Sequence, residues 1–495
     1  MPLETDPGDP DFAARNALRL IGPDPRNWVP ERLGPDGRPI DHNVAIVGGG
    51  QSGCAFAFAL RRAGIGRVAV IDMAAGETAA GVWLNAARMN VLRTAKTLPG
   101  PELGIPALGF QSWYEARHGR AAYAAIERIP RAAWAEYLAW YRNFLDIPVR
   151  YRTRLVRIEP APGHFRLHLE TAAGPIVETA RKLILANGVG GTGGPYIPAV
   201  LSQGLPRRLY AHTADAIDFA ALRGKRVAVI GGAASAFDAA GVALEAGAAS
   251  VDLFARRAGL AALPISRVRG YPGAYDNYGD LPDRVRWHQA IRFRRAGSTA
   301  PRDAIERVLR FANFRLHLAA PWLAAREEAG EIAARVNSAV NSAVNGGADG
   351  EYRCDFAIAG TGYFVDPHAR PELADVADSI LLWRDRYVPP PDEEDAYLGA
   401  HPYLGAGHEY LEKAPGAAPC LGDIHVHNPA GFVSFGWPEG DVPSMRRGVA
   451  AIVARISRNL FLADLELHQH RLTADVAPDF AEALYAAALH RSNAG

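Results

Sequence analysis

The chain has 495 residues, 49% of them hydrophobic and 22% charged, a globular balance that excludes global disorder and allows a core without metal or disulfide staples. At roughly 150 residues per domain, that length predicts about three domain-sized units, or two with one interrupted by the other. Lys plus Arg total 54 against 53 for Asp plus Glu, a net charge of +1, which lacks the basic excess of a polyanion binder and argues against nucleic acid as a partner.

Residues 1–40 are rich in Pro, Gly and Asp, and predict an extended N-terminal arm laid over the surface without chemistry of its own. Met1 to Phe12 hold four acids and no base, unlike a secretory signal. Charges interrupt every apolar stretch before it reaches the ~20 residues needed to cross a bilayer, so the chain is expected to be unexported, without a membrane partner, and cytoplasmic. Cys54, Cys354 and Cys420 lie far apart, with no CxxC pair and no zinc-ligand spacing. A disulfide scaffold, a dithiol reductase and a cysteine metal site are all excluded.

From Asn43 the pattern becomes strand, glycine turn, helix, strand: Val44 to Val47, Gly48 to Gly53, a helix to about Ala63, then Val68 to Asp72. Gly48, Gly50 and Gly53 form a G-x-G-x-x-G, and Asp72 ends the next strand. Gly48 permits the tight turn, Gly50 lets backbone N–H groups approach a pyrophosphate, and Gly53 lets helix pack on strand. Asp72 is placed to accept a ribose hydroxyl.

Leu183 to Gly188 is a buried-strand pattern ending in glycine, followed by a Gly- and Pro-rich linker. The βαβ pattern then repeats near residue 226, where Arg226 to Ile230 leads into Gly231, Gly232, Ala233, Ser235 and Ala236. Ala233 replaces the middle glycine. No acid ends the strand that follows; Arg256 and Arg257 stand there, where they would pair with a 2′-phosphate. Between Arg256 and Arg310 twelve arginines face five acids, which marks either a surface for an anionic ligand or a solvated helical face. Asn337 to Asn345 is a short NSAVNSAVN echo, read as a loop. Apolar strand character resumes at Asp355 and runs into Gly360, Thr361, Gly362 and Tyr363, and a helical pattern follows Ser444.

These motifs, together with Gly81-Val82-Trp83, Leu185 to Gly188 and Ala234 to Asp238, resemble the class B flavin monooxygenases, the group of flavin-containing, N-hydroxylating and Baeyer–Villiger monooxygenases. The resemblance spans residues 43–450. It implies an α/β fold with two Rossmann-like dinucleotide-binding domains, the NADPH domain inserted into the FAD domain. The expected units are the arm at 1–40, an FAD domain at 41–200 and 350–450, an NADPH domain at 205–345 and a C-terminal helical segment at 451–495.

The implied activity is NADPH-dependent insertion of one oxygen atom from O2 into a small organic substrate through a C4a-(hydro)peroxyflavin. Alternatives are an NADPH oxidase or reductase without oxygenation, and a non-catalytic nucleotide sensor. Amine, ketone and heterocycles such as urate stay open as substrates, and a homo-oligomer is left open. The resemblance assigns flavin contacts to Trp83 and to the backbone near Ser444, with core packing as the alternative for Trp83. Two family features are altered. The F-x-G-x-x-x-H signature is reduced to His212, a linker or functional residue, and the Asn expected after Leu92-Arg93-Thr94 gives way to Ala95 and Lys96, which leaves Asn90 and Lys96 as candidates beside the flavin.

Overall fold

The computed structural model describes residues 8–79, 81–265, 270–337 and 351–489. Strand His42–Val47 runs parallel to Val68–Ile71 on one side, with Val44 beside Val68 and Ile46 beside Val70, and to the long strand Gly174–Leu185 on the other. The first half of Gly174–Leu185 pairs antiparallel with His164–Thr171, which pairs in turn with Thr153–Ala161, whereas its second half pairs parallel with Ile424–Val426. The last quarter of the chain therefore completes the first sheet. Both faces of its parallel part are covered, which is why His42–Val47 is almost continuously buried rather than alternating. Helices Gln51–Arg62, Arg131–Phe144 and Met445–Ala463 close one face around Trp113, Trp134, Tyr137 and Tyr141.

The second sheet is parallel, in the order Phe314–His317, Ser250–Phe254, Arg226–Ile230, Phe356–Ala359 and Tyr210–His212, and carries helix Ala234–Glu245 on Val227, Val229, Val251 and Leu253. A three-stranded antiparallel sheet, Trp322–Glu328, Glu331–Val336 and Glu351–Cys354, packs beside it. The α/β architecture with the second unit inserted into the first is as expected.

Two expected boundaries and the form of the arm differ in the structure. Phe356–Ala359 lies in the second sheet, so the chain returns to the first unit near Gly360 rather than near 350. The N-terminal arm holds a helix, Pro10–Leu20, started by Asp9 accepting from the Asp11 N–H with Pro10 at its first turn, and Asp11 in turn accepts from the Trp140 indole at 2.7 Å. The proposed cut at 450/451 falls inside helix Met445–Ala463, which continues unbroken from the Ser444 turn. The NSAVNSAVN echo lies, apart from Asn337, outside the described residues.

Candidate active site

The loop Gly48–Gly50 crosses the open end of the first sheet. Gly48 has φ +109°, and a Cβ there would stand 2.4 Å from the Ala186 carbonyl oxygen; a Cβ on Gly53 would stand 1.8 Å from that of Gly48. These two glycines serve the close approach of helix and strand. Gly50 differs: a Cβ there meets only the Gly81 Cα, at 3.8 Å, so the glycine keeps open the space above the helix start. Helix Gln51–Arg62 begins at Gly50 without a side-chain cap, which leaves its first N–H groups for an anion. Asp72 accepts from the N–H groups of Gly49 and Ala74, both at 2.7 Å, and so fixes the loop while retaining lone pairs toward the opening.

The segment after Gly81 and the turn before Met445–Ala463 border this opening. The half-buried Trp83 meets Trp134 edge-on at 6.2 Å, and the Trp134 indole donates to Gln51 at the start of the dinucleotide helix. Trp83 thus has one edge in the core while lying beside Gly81. The Gln51 amide also donates to the Gly440 carbonyl, which ties the glycine loop to the second segment. There the N–H of Ser444 donates to Asp441 and its hydroxyl to the Asp441 carbonyl, so Ser444 builds the helix start and its own N–H is already engaged. Burial pushes the Asp441 carboxyl up to about 6.

The second glycine loop repeats the design with less room. Gly231 has φ +142°, Ala233 precedes helix Ala234–Glu245 without a side-chain cap, and the half-buried Ser235 lies in its first turn. A Cβ on Gly231 would stand 2.2 Å from the Gly360 carbonyl oxygen, and one on Gly360 would stand 2.7 Å from the Ala236 Cβ. Gly360, before Thr361, must therefore be small because of its contact with Ala236, the alanine at the third motif position. Thr361 donates to the Tyr196 carbonyl, Gly362 accepts from the Tyr196 N–H at 2.9 Å, and Tyr363 rests edge-on against His212 at 5.3 Å.

Several candidates are held in structural roles instead. Both ring nitrogens of His212 face backbone partners, the Gly362 carbonyl at 2.9 Å and the Ala214 N–H at 3.0 Å, and burial lowers its pKa, so the neutral ring clamps the linker. The Lys96 ammonium donates to the carbonyls of Tyr123 and Ile126 at 2.8 and 2.6 Å. Asn90 is exposed, its carbonyl accepting from the Arg131 N–H. The arginine pair divides: Arg257 donates to the carbonyls of Arg294, Arg295 and Ala296 and so caps helix Asp283–Ala296, whereas Arg256 is exposed beside the second nucleotide loop. Among the other arginines of that region, Arg286, Arg294, Arg302 and Arg307 pair with Asp283, Asp395, Glu306 and Glu245, which accounts for them without an anionic ligand.

Two groups went unnoticed in the sequence. Arg93 reaches across from the first unit to the buried Asp238 on helix Ala234–Glu245, at 2.7 Å, and ties the two units together. Tyr275 stacks on Trp437 with ring centres 3.8 Å apart and planes 3° from parallel, so the 271–280 segment of the insertion lies against the turn that precedes Ser444.

The chain is 39% identical over 457 residues to an FAD-dependent urate hydroxylase of Xanthomonas campestris, an alignment covering 92% of this chain and 93% of that one. The chain belongs to the class B flavin-dependent monooxygenases. This enzyme is an NADPH-dependent flavin monooxygenase whose cofactors are FAD and NADPH. The pyridine nucleotide-disulphide oxidoreductase family matches residues 45–268, the two glycine loops and the linker between them. Its dithiol chemistry has no counterpart here, since the three cysteines are free and burial pushes the Cys54 thiol up to about 12. In fold the monooxygenase resembles the ornithine hydroxylase of Pseudomonas aeruginosa, with a TM-score of 0.65 at 18% identity over 85% of this chain and all of that one. The Kutzneria ornithine N-hydroxylase, solved with reduced FAD, NADP+ and L-ornithine, gives the same TM-score and identity over 84% of this chain and 99% of that one. Among the described residues no helix is long and apolar enough to cross a membrane.

Proposed function

We propose that the substrate of this monooxygenase is a planar, anionic nitrogen heterocycle of the urate class. The observation that carries this reading is the likeness to a urate hydroxylase across nearly the whole of both chains. The aromatic surroundings of the turn before Ser444 agree with it. Trp437 and Tyr275 stack on each other there, and the Arg447 guanidinium lies over the Phe435 ring at 5.6 Å, so aromatic and cationic groups gather at this turn.

FAD would be held with its pyrophosphate over Gly48, Gly50 and the start of Gln51–Arg62, with Asp72 toward the ribose and with Trp83 and the Ser444 turn flanking the ring. NADPH would lie over Gly231, Gly232, Ala233 and Ser235, with Arg256 receiving its 2′-phosphate. When bound, the flavin accepts a hydride from NADPH and delivers one atom of O2 to the substrate. The protein's task is orientation and exclusion of water. Arg93 and Asp238 tie the two units together, Thr361 to Tyr363 and His212 fix the crossing between units, and Phe435, Trp437, Tyr275 and Tyr278 wall the turn with apolar surface. Cytoplasmic residence agrees with the supply of NADPH.

Steady-state NADPH oxidation tests the assignment: urate is expected to raise the rate over the substrate-free enzyme, and ornithine or lysine is not. A rate indifferent to urate and raised by either amino acid would overturn it.

A further inference from the structure

We propose that His408, His427 and Glu439 form a binding site for one divalent transition-metal ion, Zn2+ by its donor set, which clamps the turn leading into helix Met445–Ala463. The three side chains come from different places in the sequence. His408 sits in the turn before Glu409, His427 immediately follows strand Ile424–Val426, and Glu439 belongs to the turn ahead of Ser444. Their ligand atoms nonetheless lie within 4.8 Å of one another, and all three residues are buried.

These atoms make no well-aligned hydrogen bond as they stand. Both ring nitrogens of His408, both of His427 and Oε2 of Glu439 lack a hydrogen-bond partner, although His408 is 1% and His427 0% exposed. A buried imidazole with no partner at either nitrogen forfeits the hydrogen bonds it would make to water. The Glu439 carboxylate lies 3.0 Å from Nδ1 of His427 and 3.7 Å from Nδ1 of His408, the former without hydrogen-bond alignment. A tetrahedral zinc with bonds of about 2.0–2.1 Å holds its ligand atoms roughly 3.4 Å apart, between these two separations.

The surroundings are shaped to the same end. His408 has φ +60°, a left-handed conformation that histidine adopts at a cost, and its ring is stacked on Phe435 at 3.8 Å. The His427 ring meets the edge of Phe56 on the dinucleotide helix. On helix Met445–Ala463, a Cβ on Gly448 would stand 2.6 Å from the His427 ring and 3.1 Å from Oε2 of Glu439, so a helix-weakening glycine keeps the cluster clear. Arg447 is the guanidinium facing the group, close enough to act on both Glu439 and His408. Two imidazoles and a carboxylate suit zinc and its first-row neighbours rather than magnesium or calcium, which take oxygen ligands. An ion there would join three segments that meet only through the tertiary fold, and would stiffen the turn that Gln51 ties to the first glycine loop.

The test uses the full-length, FAD-loaded enzyme produced in zinc-supplemented medium. Elemental analysis after exhaustive dialysis is expected to find about one zinc per chain, released by a chelator only on unfolding and followed by a lower thermal midpoint. Refolding with Co2+ in place of zinc is expected to give the visible ligand-field bands of a tetrahedral N/O site. His408→Gln and Glu439→Gln should lose the metal, whereas His368→Gln, in an exposed His–Asp cluster, should keep it. If the variants do not fold, the wild-type metal content and cobalt spectrum still decide. Less than a tenth of an equivalent of any transition metal in the wild type, with no shift of its thermal midpoint by Zn2+ or Co2+, would overturn the proposal. Equal metal loss in His368→Gln would do so too, by marking surface binding. Iron in place of zinc would overturn the assignment of the ion.

Discussion

Gly50→Val separates cofactor binding from folding in a way that the neighbouring glycines cannot. At Gly50 the backbone has φ −74°, open to any residue, and the added carbon meets nothing nearer than the Gly81 Cα at 3.8 Å. The variant should therefore fold, with stability within about 1 kcal/mol of the parent. Its side chain occupies the space where a pyrophosphate would approach the uncapped N–H groups of Gln51–Arg62. Displacing two charge-assisted hydrogen bonds, each about 1.5–3 kcal/mol, weakens FAD by about 3–6 kcal/mol, or roughly a hundred- to ten-thousandfold. Gly53→Ala is the contrast, because its Cβ would stand 1.8 Å from the Gly48 carbonyl oxygen and must move the helix off the strand. That change should cost about 3 kcal/mol or more of fold stability. The assay is FAD titration of the apoprotein by flavin fluorescence, paired with urea unfolding of the same apoprotein. Stoichiometric, parent-like FAD binding by Gly50→Val would refute the placement of the pyrophosphate, and an unfolded Gly50→Val would refute the description of that space as open.

Arg256→Ala is expected to raise the Michaelis constant for NADPH roughly ten- to a hundredfold with little effect on NADH, whereas Arg257→Ala, which uncaps helix Asp283–Ala296, should cost about 1–2 kcal/mol of stability and leave the NADPH/NADH ratio unchanged; steady-state kinetics with both cofactors and thermal unfolding check the pair. Lys96→Met removes an ammonium from two carbonyls, so it should lower the thermal midpoint while leaving the fraction of NADPH electrons recovered in product unaltered, as read by a peroxide assay. His401 is fully buried, its pKa lowered by desolvation to about 4. Since the unfolded ring protonates near 6.5, the folded state gives up roughly 3 kcal/mol as pH falls from about 6.5 through about 4, and pH-dependent urea unfolding of His401→Gln should lack that contribution.

The parts of the site legible in the sequence are those whose reason is local. Strand, turn, glycine spacing and closing acid sit within about 30 residues at Val44 to Asp72, and each carries its own steric requirement. The all-apolar strand Phe356–Ala359 shows no mark of which sheet it joins, because a strand buried on both faces has no alternation to orient it. Arg257 looked free for a phosphate because the carbonyls it caps lie 37 to 39 residues away, and His212 stayed open between a linker and a functional role because its partner Gly362 lies 150 residues away. The helix Pro10–Leu20 had a visible Asp-Pro start, yet the Pro- and Gly-rich composition around it outweighed that signal. The stack of Tyr275 on Trp437 joins an insertion to a distant turn, and no pattern in either segment announces it.

The central claim is that both nucleotide loops serve one reaction, in which NADPH and O2 are spent on oxygenating a urate-class substrate. Turnover with urate under 18O2 measures this most directly. The hydroxylated product is expected to carry one 18O atom for each NADPH oxidised, with little hydrogen peroxide. NADPH consumption that yields hydrogen peroxide and leaves urate unlabelled and unchanged would contradict it.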